Sequence, residues 1–217
     1  MAEKISNKVD RLIQAMNMGL PQNEWVGIFE SILDDLQGVV FNQRWEKPDA
    51  ATTTGGSAQK DLTGIAVDYA ATSVINPDYP RTVNATSIIS NGDITSLVLT
   101  VTGFDARGNA QTEVITVDDD ETVQGAKAFA TVTSIAVAVN GLAEFTGGGA
   151  GDTLDTGFGV IFGLLADVES DCMIKMNEDL DDSGAADVTI SATNNTITFE
   201  TAPNAVHVYD AWYRGKA

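Results

Sequence analysis

One stretch of the sequence has the residue types and spacing of a cation site. The acidic run DLDDSGAAD at residues 179–187 approximates the first half of an EF-hand calcium loop, in which alternate side chains supply oxygen ligands. The candidate ligands of this weak calcium site are Asp179, Asp181, Ser183 and Asp187. Position twelve of the loop is Ile190 rather than a bidentate glutamate, and a strand pattern follows where an EF-hand has a helix. We therefore favour a solvated acidic turn and predict no bound metal.

The residues that could perform nucleophilic or acid–base chemistry occur singly. The chain has one cysteine, Cys172, and one histidine, His207. Cys172 follows Asp171, and neighbouring carboxylates disfavour the reactive thiolate. A catalytic triad would have to use His207 in a late strand pattern, and a zinc site would need more histidines and cysteines than the sequence contains. We predict no catalytic residues and no cofactor, and we expect a protein that is not an enzyme.

The glycine-rich run GGGAG at residues 147–151 is the nearest approach to a phosphate-binding loop. Such a loop presents backbone N–H groups at the start of a helix, and no helix pattern clearly follows this run. Asp152 and Asp155 would also repel phosphate. We predict a flexible loop here.

The charge balance limits the classes of partner. The 217 residues include 12 Lys and Arg against 31 Asp and Glu, a formal net charge of −19. A strongly acidic chain repels nucleic acid and anionic lipid, because both carry phosphate charge. The sequence has no apolar window of about 20 residues, the length that spans a bilayer, and no secretory signal is visible. We expect synthesis in the cytoplasm, with neither nucleic acid nor a membrane as partner.

The first 47 residues differ from the rest and are predicted to form a short α-helical arm. Apolar residues recur at helical spacing in two segments, which end near Gly19 and Gly38. Two short amphipathic helices cannot bury their apolar faces singly, so they must pack on each other, on the later domain or on another chain. The predicted interface residues are Ile13, Met16, Trp25, Phe29 and Leu33. Residues 48–59 lack large apolar side chains and are predicted to be a linker.

Residues 60–217 show the alternation of β-strands and predict an antiparallel β-sandwich or barrel-like domain. The fold class is therefore mainly β, with the helical arm in front. Strands are expected near 62–68, 83–90, 94–104, 111–117, 126–139, 157–165, 171–176, 186–193, 195–201 and 205–213.

Two hairpins are predicted within this region. In the first, Leu97, Leu99 and Val101 face the core, the turn spans residues 105–109, and no ionisable group is expected on the inward face. In the second, Asn194 and Asn195 form a two-residue turn, so that Ala192 pairs with Ile197 and Ile190 pairs with Phe199.

Four stretches resemble a recurring type of tailed-bacteriophage virion protein. They are TGFDARGNAQTEVITV from residue 102, GAKAFATVTSI from residue 125, DTLDTGFGVIFGLL from residue 152 and TFETAPNAVHVYDAWYRG from residue 198. The resemblance covers about the last 120 residues and brings no catalytic residues with it. It implies a capsid decoration protein, which sits on the capsid exterior and bridges capsomers, or else another structural component of the head or tail. The implied partners are the major capsid protein and copies of the chain itself, in a trimer.

A second hypothesis is an adhesin or glycan-binding module on a tail or head fibre, assisted by calcium. It depends on the acidic run at 179–187 and on a possible aromatic platform formed by Trp212, Tyr209 and Tyr213.

Overall fold

The computed structural model describes residues 40–90, 93–141, 146–178, 188–199, 202–206 and 208–215. The predicted helices and the five predicted interface residues of the arm (Ile13, Met16, Trp25, Phe29 and Leu33) lie outside these ranges. The regular elements of the described residues are all β-strands, which confirms the mainly β class. They are β1 (Val40–Glu46), β2 (Lys60–Asp61), β3 (Tyr69–Ala70), β4 (Arg81–Ile88), β5 (Ile94–Phe104), β6 (Ala110–Val117), β7 (Thr122–Phe129), β8 (Thr131–Gly141), β9 (Thr153–Gly163), β10 (Val168–Glu178), β11 (Thr189–Ser191), β12 (Thr196–Thr198) and β13 (Val208–Gly215).

These strands form three antiparallel sheets, part of which curls into a half-barrel. A three-stranded sheet has the order β1-β13-β10. A six-stranded sheet has the order β11-β12-β9-β4-β7, and β2 also pairs with β9. A four-stranded sheet has the order β3-β8-β5-β6.

The first hydrophobic core lies between the four-stranded and six-stranded sheets. Leu97, Leu99 and Val101 of β5 are fully buried, as the alternation predicts. Opposite them on β6, Ile115 and Val117 are also buried. The predicted turn is confirmed, because β5 and β6 pair from Leu97↔Val117 through to Phe104↔Ala110.

The second core is an aromatic cluster under the three-stranded sheet. Trp45 is fully buried, with its ring centroid 5.2 Å from Phe199 and 6.0 Å from Phe162, both edge-on. Phe199 stacks on Tyr209 at 4.4 Å. Edge-on and offset contacts of this kind add to the free energy gained by burying the rings.

Part of the predicted helical arm is a strand, so the arm does not extend to residue 47. Val40–Glu46 pairs antiparallel with β13, and Trp45 faces Tyr209 across the two strands. Gln43 links β1 to the end of β9, since its amide donates to the Gly163 carbonyl at 2.9 Å. The β-body therefore includes residues before the expected domain boundary.

The 48–59 segment, predicted as a linker, lies along the edge of β9. Thr52 N donates to Phe158 O and Gly56 N donates to Thr156 O, each at 2.8 Å. A Cβ at Gly157 would come within 2.0 Å of the Thr52 carbonyl oxygen, so only glycine permits this approach. The segment thus fills the edge of β9 between β2 and β12.

The second predicted hairpin forms with a different register. Ile190 pairs with Ile197, and residues 192–195 make a four-residue turn. Asn195 has a φ of 55°, and its side chain accepts from Val168 N and donates to Leu164 O. The register moves by two residues, so the same side chains stay on the core face. Contacts with the 164–168 loop, which sequence spacing does not reveal, select the longer turn.

Two other strand predictions were wrong. The single strand expected at 126–139 is β7 and β8, which belong to different sheets and meet at Ala130. Ala130 N donates to Phe104 O at 2.8 Å, so this amide keeps a hydrogen-bond partner where the chain passes from one sheet to the other. Residues 62–68 lie outside regular strands, because the chain there crosses between β2 and β3.

Replacing Trp45 with alanine should lower the free energy of unfolding by about 3–5 kcal/mol, since it leaves a cavity in the aromatic cluster. The matched control is Phe41→Ala on the same strand, because Phe41 is already 37% exposed and should cost much less. Chemical denaturation of both variants measures the difference. Equal and small losses would contradict the placement of β1 in the core.

Candidate functional site

The weak calcium candidate and the single histidine lie outside the described ranges. This holds for all four candidate ligands (Asp179, Asp181, Ser183 and Asp187) and for His207. Cys172 lies in β10. Within the described ranges, no group of three or more His, Cys, Asp or Glu side chains is placed to hold a metal ion. Among those same residues, no helix is long and apolar enough to cross a membrane.

Two of the three residues of the proposed aromatic platform are not at the surface. Tyr209 and Tyr213 are both fully buried in the second core. A sugar ring stacks on an exposed aromatic face, so these two tyrosines cannot provide one. The glycan-binding hypothesis therefore loses the two tyrosines that supported it.

The glycine-rich run at 147–151 packs against residues 62–65 instead of forming an open loop. A Cβ at Gly147 would lie 2.5 Å from Gly64, and one at Gly148 would lie 2.5 Å from the Leu62 carbonyl oxygen. Gly64 N donates to Gly148 O at 2.8 Å. The glycines serve close contact between two backbone segments rather than phosphate binding.

Asp152 is a fully buried carboxylate that holds this region together. One oxygen accepts from Ser90 N at 2.6 Å, and the other accepts from Gly149 N at 2.7 Å. Its own carbonyl accepts from Leu62 N at 2.8 Å. Because both oxygens accept backbone N–H groups, this acid organises three segments of chain.

The most unusual polar arrangement lies at the gap between β6 and β7, called the β6–β7 seam below. The two strands are consecutive, yet among the described residues they pair with other strands rather than with each other. Side chains bridge the gap instead: Gln111 donates to Ala128 O at 2.7 Å, and Lys127 Nζ donates to Thr112 O at 2.7 Å. Backbone groups exposed by the splitting of the sheets are thereby satisfied.

Glu113 occupies the centre of this seam. Its Oε1 accepts from Ala126 N at 2.6 Å and from Lys127 N at 3.1 Å, while Oε2 is buried and has no partner among the described residues. Burial raises the pKa of Glu113, although the two backbone hydrogen bonds and the charge of Lys127 act in the opposite direction. The expectation of an inward face without ionisable groups was therefore wrong at Glu113. Gly125 leaves room for its carboxylate, 2.6 Å from where a Cβ would stand.

Arg81 is a buried cation, 1% exposed, at the start of β4. It donates to Gly159 O and Asp49 O at 2.8 Å and pairs with Asp78 at 3.1 Å. Its guanidinium also lies 4.9 Å from the centre of the Phe162 ring. Arg81 lines a cavity of about 240 Å³, but its charge is already paired within the chain. The arrangement joins the 48–59 segment to β9.

Two acidic turns are also engaged with the backbone. Asp105 accepts from the amides of Arg107 and Asn109, each at 2.8 Å. Partial burial opposes ionisation, but hydrogen bonds from Asn109 and Arg107 outweigh it and lower the pKa of Asp105. In the exposed turn at 118–121, Asp120 accepts from Ile89 N at 3.0 Å.

Comparison of the chain with protein-family models, curated proteins and solved structures found no match.

The unfolding free energy should depend on Glu113 in a defined pH direction. A folded-state pKa above the ordinary value of 4.5 means that the native state binds the proton more tightly. The contribution of Glu113 is therefore most favourable below that value and is lost as pH rises through the folded pKa. Glu113→Gln should be close to wild type at pH 4 and more stable than wild type at pH 8, by denaturant titration.

The control for this experiment is Glu121→Gln, which removes the same charge from an exposed turn. Its stability difference from wild type should vary less with pH. A difference for Glu113→Gln that is constant from pH 4 to pH 8 would refute the burial of an ionised group.

Asp152→Asn should lower the unfolding free energy by about 1–3 kcal/mol, because the amide replaces one buried acceptor with a donor facing an N–H group. Asp119→Asn, in the exposed turn, is the matched control and should change stability little. Thermal and denaturant unfolding measure both. No loss in Asp152→Asn would show that the loop does not depend on this carboxylate.

Proposed function

We propose that this chain is a non-enzymatic structural protein of a tailed-bacteriophage virion, and specifically a capsid decoration protein that bridges capsomers. Three of the four stretches that resemble virion proteins coincide with defined parts of the β-body. The stretch from residue 102 is the β5–β6 hairpin, and the one from residue 125 is the corner between β7 and β8. The stretch from residue 152 is β9 and the loop that follows it.

The observation that carries the proposal is the use made of acidic side chains in these stretches. Asp105, Glu113 and Asp152 each accept two backbone N–H groups. In an enzyme, such groups would converge on a shared cavity, where they could meet a substrate. Here each acid fixes a turn, a seam or a loop at a separate place, which suits a rigid scaffold.

The charge of the chain suits a protein present in many copies on a particle that encloses DNA. A net charge of −19 keeps free copies apart and discourages adhesion to released nucleic acid. Many weak contacts on a lattice of capsid subunits add up to strong attachment. The proposed partners are the major capsid protein and further copies of this chain in a trimer, on the capsid exterior.

The mechanism assigns particle binding to the N-terminal residues and rigidity to the β-body. Apolar side chains of the predicted arm would enter grooves between capsid subunits, as amphipathic helices do in other complexes. The first described strand, β1, is paired with β13, so the body anchors whatever precedes residue 40.

Removing residues 1–39 should leave a folded β-body that no longer binds phage particles lacking this chain. Removing residues 1–47 should also destabilise the body, because it deletes β1 and Trp45. Co-sedimentation with particles measures binding, and circular dichroism measures folding.

A full-length double variant, Trp25→Glu with Phe29→Glu, tests the same surface without truncation. It should fold and fail to bind. Undiminished particle binding by the chain that begins at residue 40 would contradict the assigned role of the N-terminal residues.

A further inference from the structure

The outer face of the four-stranded sheet is a regular grid of short side chains. The register of β5 with β6 and with β8 aligns its residues in three rows across the strands. The rows are Ala138–Val98–Thr116, Ala136–Thr100–Val114 and Ser134–Thr102–Thr112. All nine side chains are exposed or half-buried. The opposite face of the same strands forms the first core.

The nine side chains of these three rows include no ionisable residue, although the chain carries 31 acidic residues and a net charge of −19. Two copies that meet elsewhere would bring carboxylates together, and repulsion would oppose the contact. Across the three rows they can approach with less of that cost, because these nine side chains carry no charge. Asp68, at the margin of the outer face, is engaged with Val139 N at 3.3 Å.

The outer face has a ridge beside a depression. Along β6, Thr112, Val114 and Thr116 are exposed, and Val114 is 62% exposed. Beside them lies a shallow depression of about 460 Å³. Its floor is formed by small side chains (Ala70, Ala136, Ala138, Val98 and Thr100), and Asp68 and Tyr69 also line it. A surface that carries both shapes side by side can complement a copy of itself.

We propose that two copies of this chain dock face to face through the outer face, about a two-fold axis parallel to β5. That axis places β6 of each copy over β8 of its partner. Val114 of each copy then enters the depression of the other, and the same contact occurs twice. The inference does not depend on the proposed virion function, since it follows from the shape and charge of one surface.

The contact is small, so we expect it to be weak. The three strands are about 4.8 Å apart, and each contributes three outward side chains, one at every second residue. The outer face therefore covers roughly 300 Å² per copy. A standard stable interface buries about 800 Å² per partner. Isolated chains therefore associate weakly, and added salt strengthens the pair by screening the repulsion between acidic surfaces.

Sedimentation velocity of the full chain, up to about 1 mM and at low and high salt, tests the proposal. Wild type should show a concentration-dependent dimer of the 22.9 kDa chain, more populated at high salt. Val114→Glu should be monomeric, because it places a carboxylate in an apolar contact. The matched control, Val206→Glu, alters a side chain that is 61% exposed outside this face and should dimerise like wild type.

A mixture of Val114→Glu and Ala136→Lys chains supplies a specific rescue. Each variant alone should be monomeric, and the mixture should form a heterodimer with the two opposite charges in contact. Circular dichroism confirms that all variants fold. A wild type that stays monomeric at every concentration and salt would overturn the proposal. So would a dimer that Val114→Glu leaves intact.

Discussion

The structure depends on one constraint: a backbone N–H or C=O that loses its strand partner inside the protein must find another. The constraint is most acute where sheets separate. At the β6–β7 seam, the side chains of Gln111, Glu113 and Lys127 take the place of a backbone ladder. The two sheets can separate at this point because long polar side chains reach across the gap.

The same constraint explains the position of the 48–59 segment. The edge of β9 is completed in turn by β2, by hydrogen bonds from Thr52 and Gly56, and by β12. Arg81 holds the carbonyl of Asp49 from the neighbouring strand. A covered edge of this kind does not offer a template for unwanted strand pairing. The segment is therefore a structural part of the body, despite a composition typical of a linker.

Sequence periodicity predicted the features that depend on local order, and missed those that depend on distant partners. The β5–β6 hairpin followed from alternation and turn residues, because its partners are adjacent in the chain. Strand β1 pairs with residues about 170 positions away, and its seven residues give too short a pattern to outweigh the helical spacing before it. The role of Glu113 was hidden for a related reason. The amides that donate to its carboxylate, those of Ala126 and Lys127, lie on β7, which the sequence pattern merged with β8 into one strand. Acidic residues spread through a chain reveal their partners only once the sheets are assembled.

The described residues between positions 40 and 215 form a rigid scaffold whose sheet edges and gaps are closed by polar groups of the chain itself. Amide hydrogen exchange of the full-length protein tests this most directly. The amides of Thr52, Gly56, Ala126 and Lys127 should exchange as slowly as those in the centres of β4 and β9, because each donates a hydrogen bond within the body. Exchange of these four amides at the rates of an unfolded chain would contradict the account.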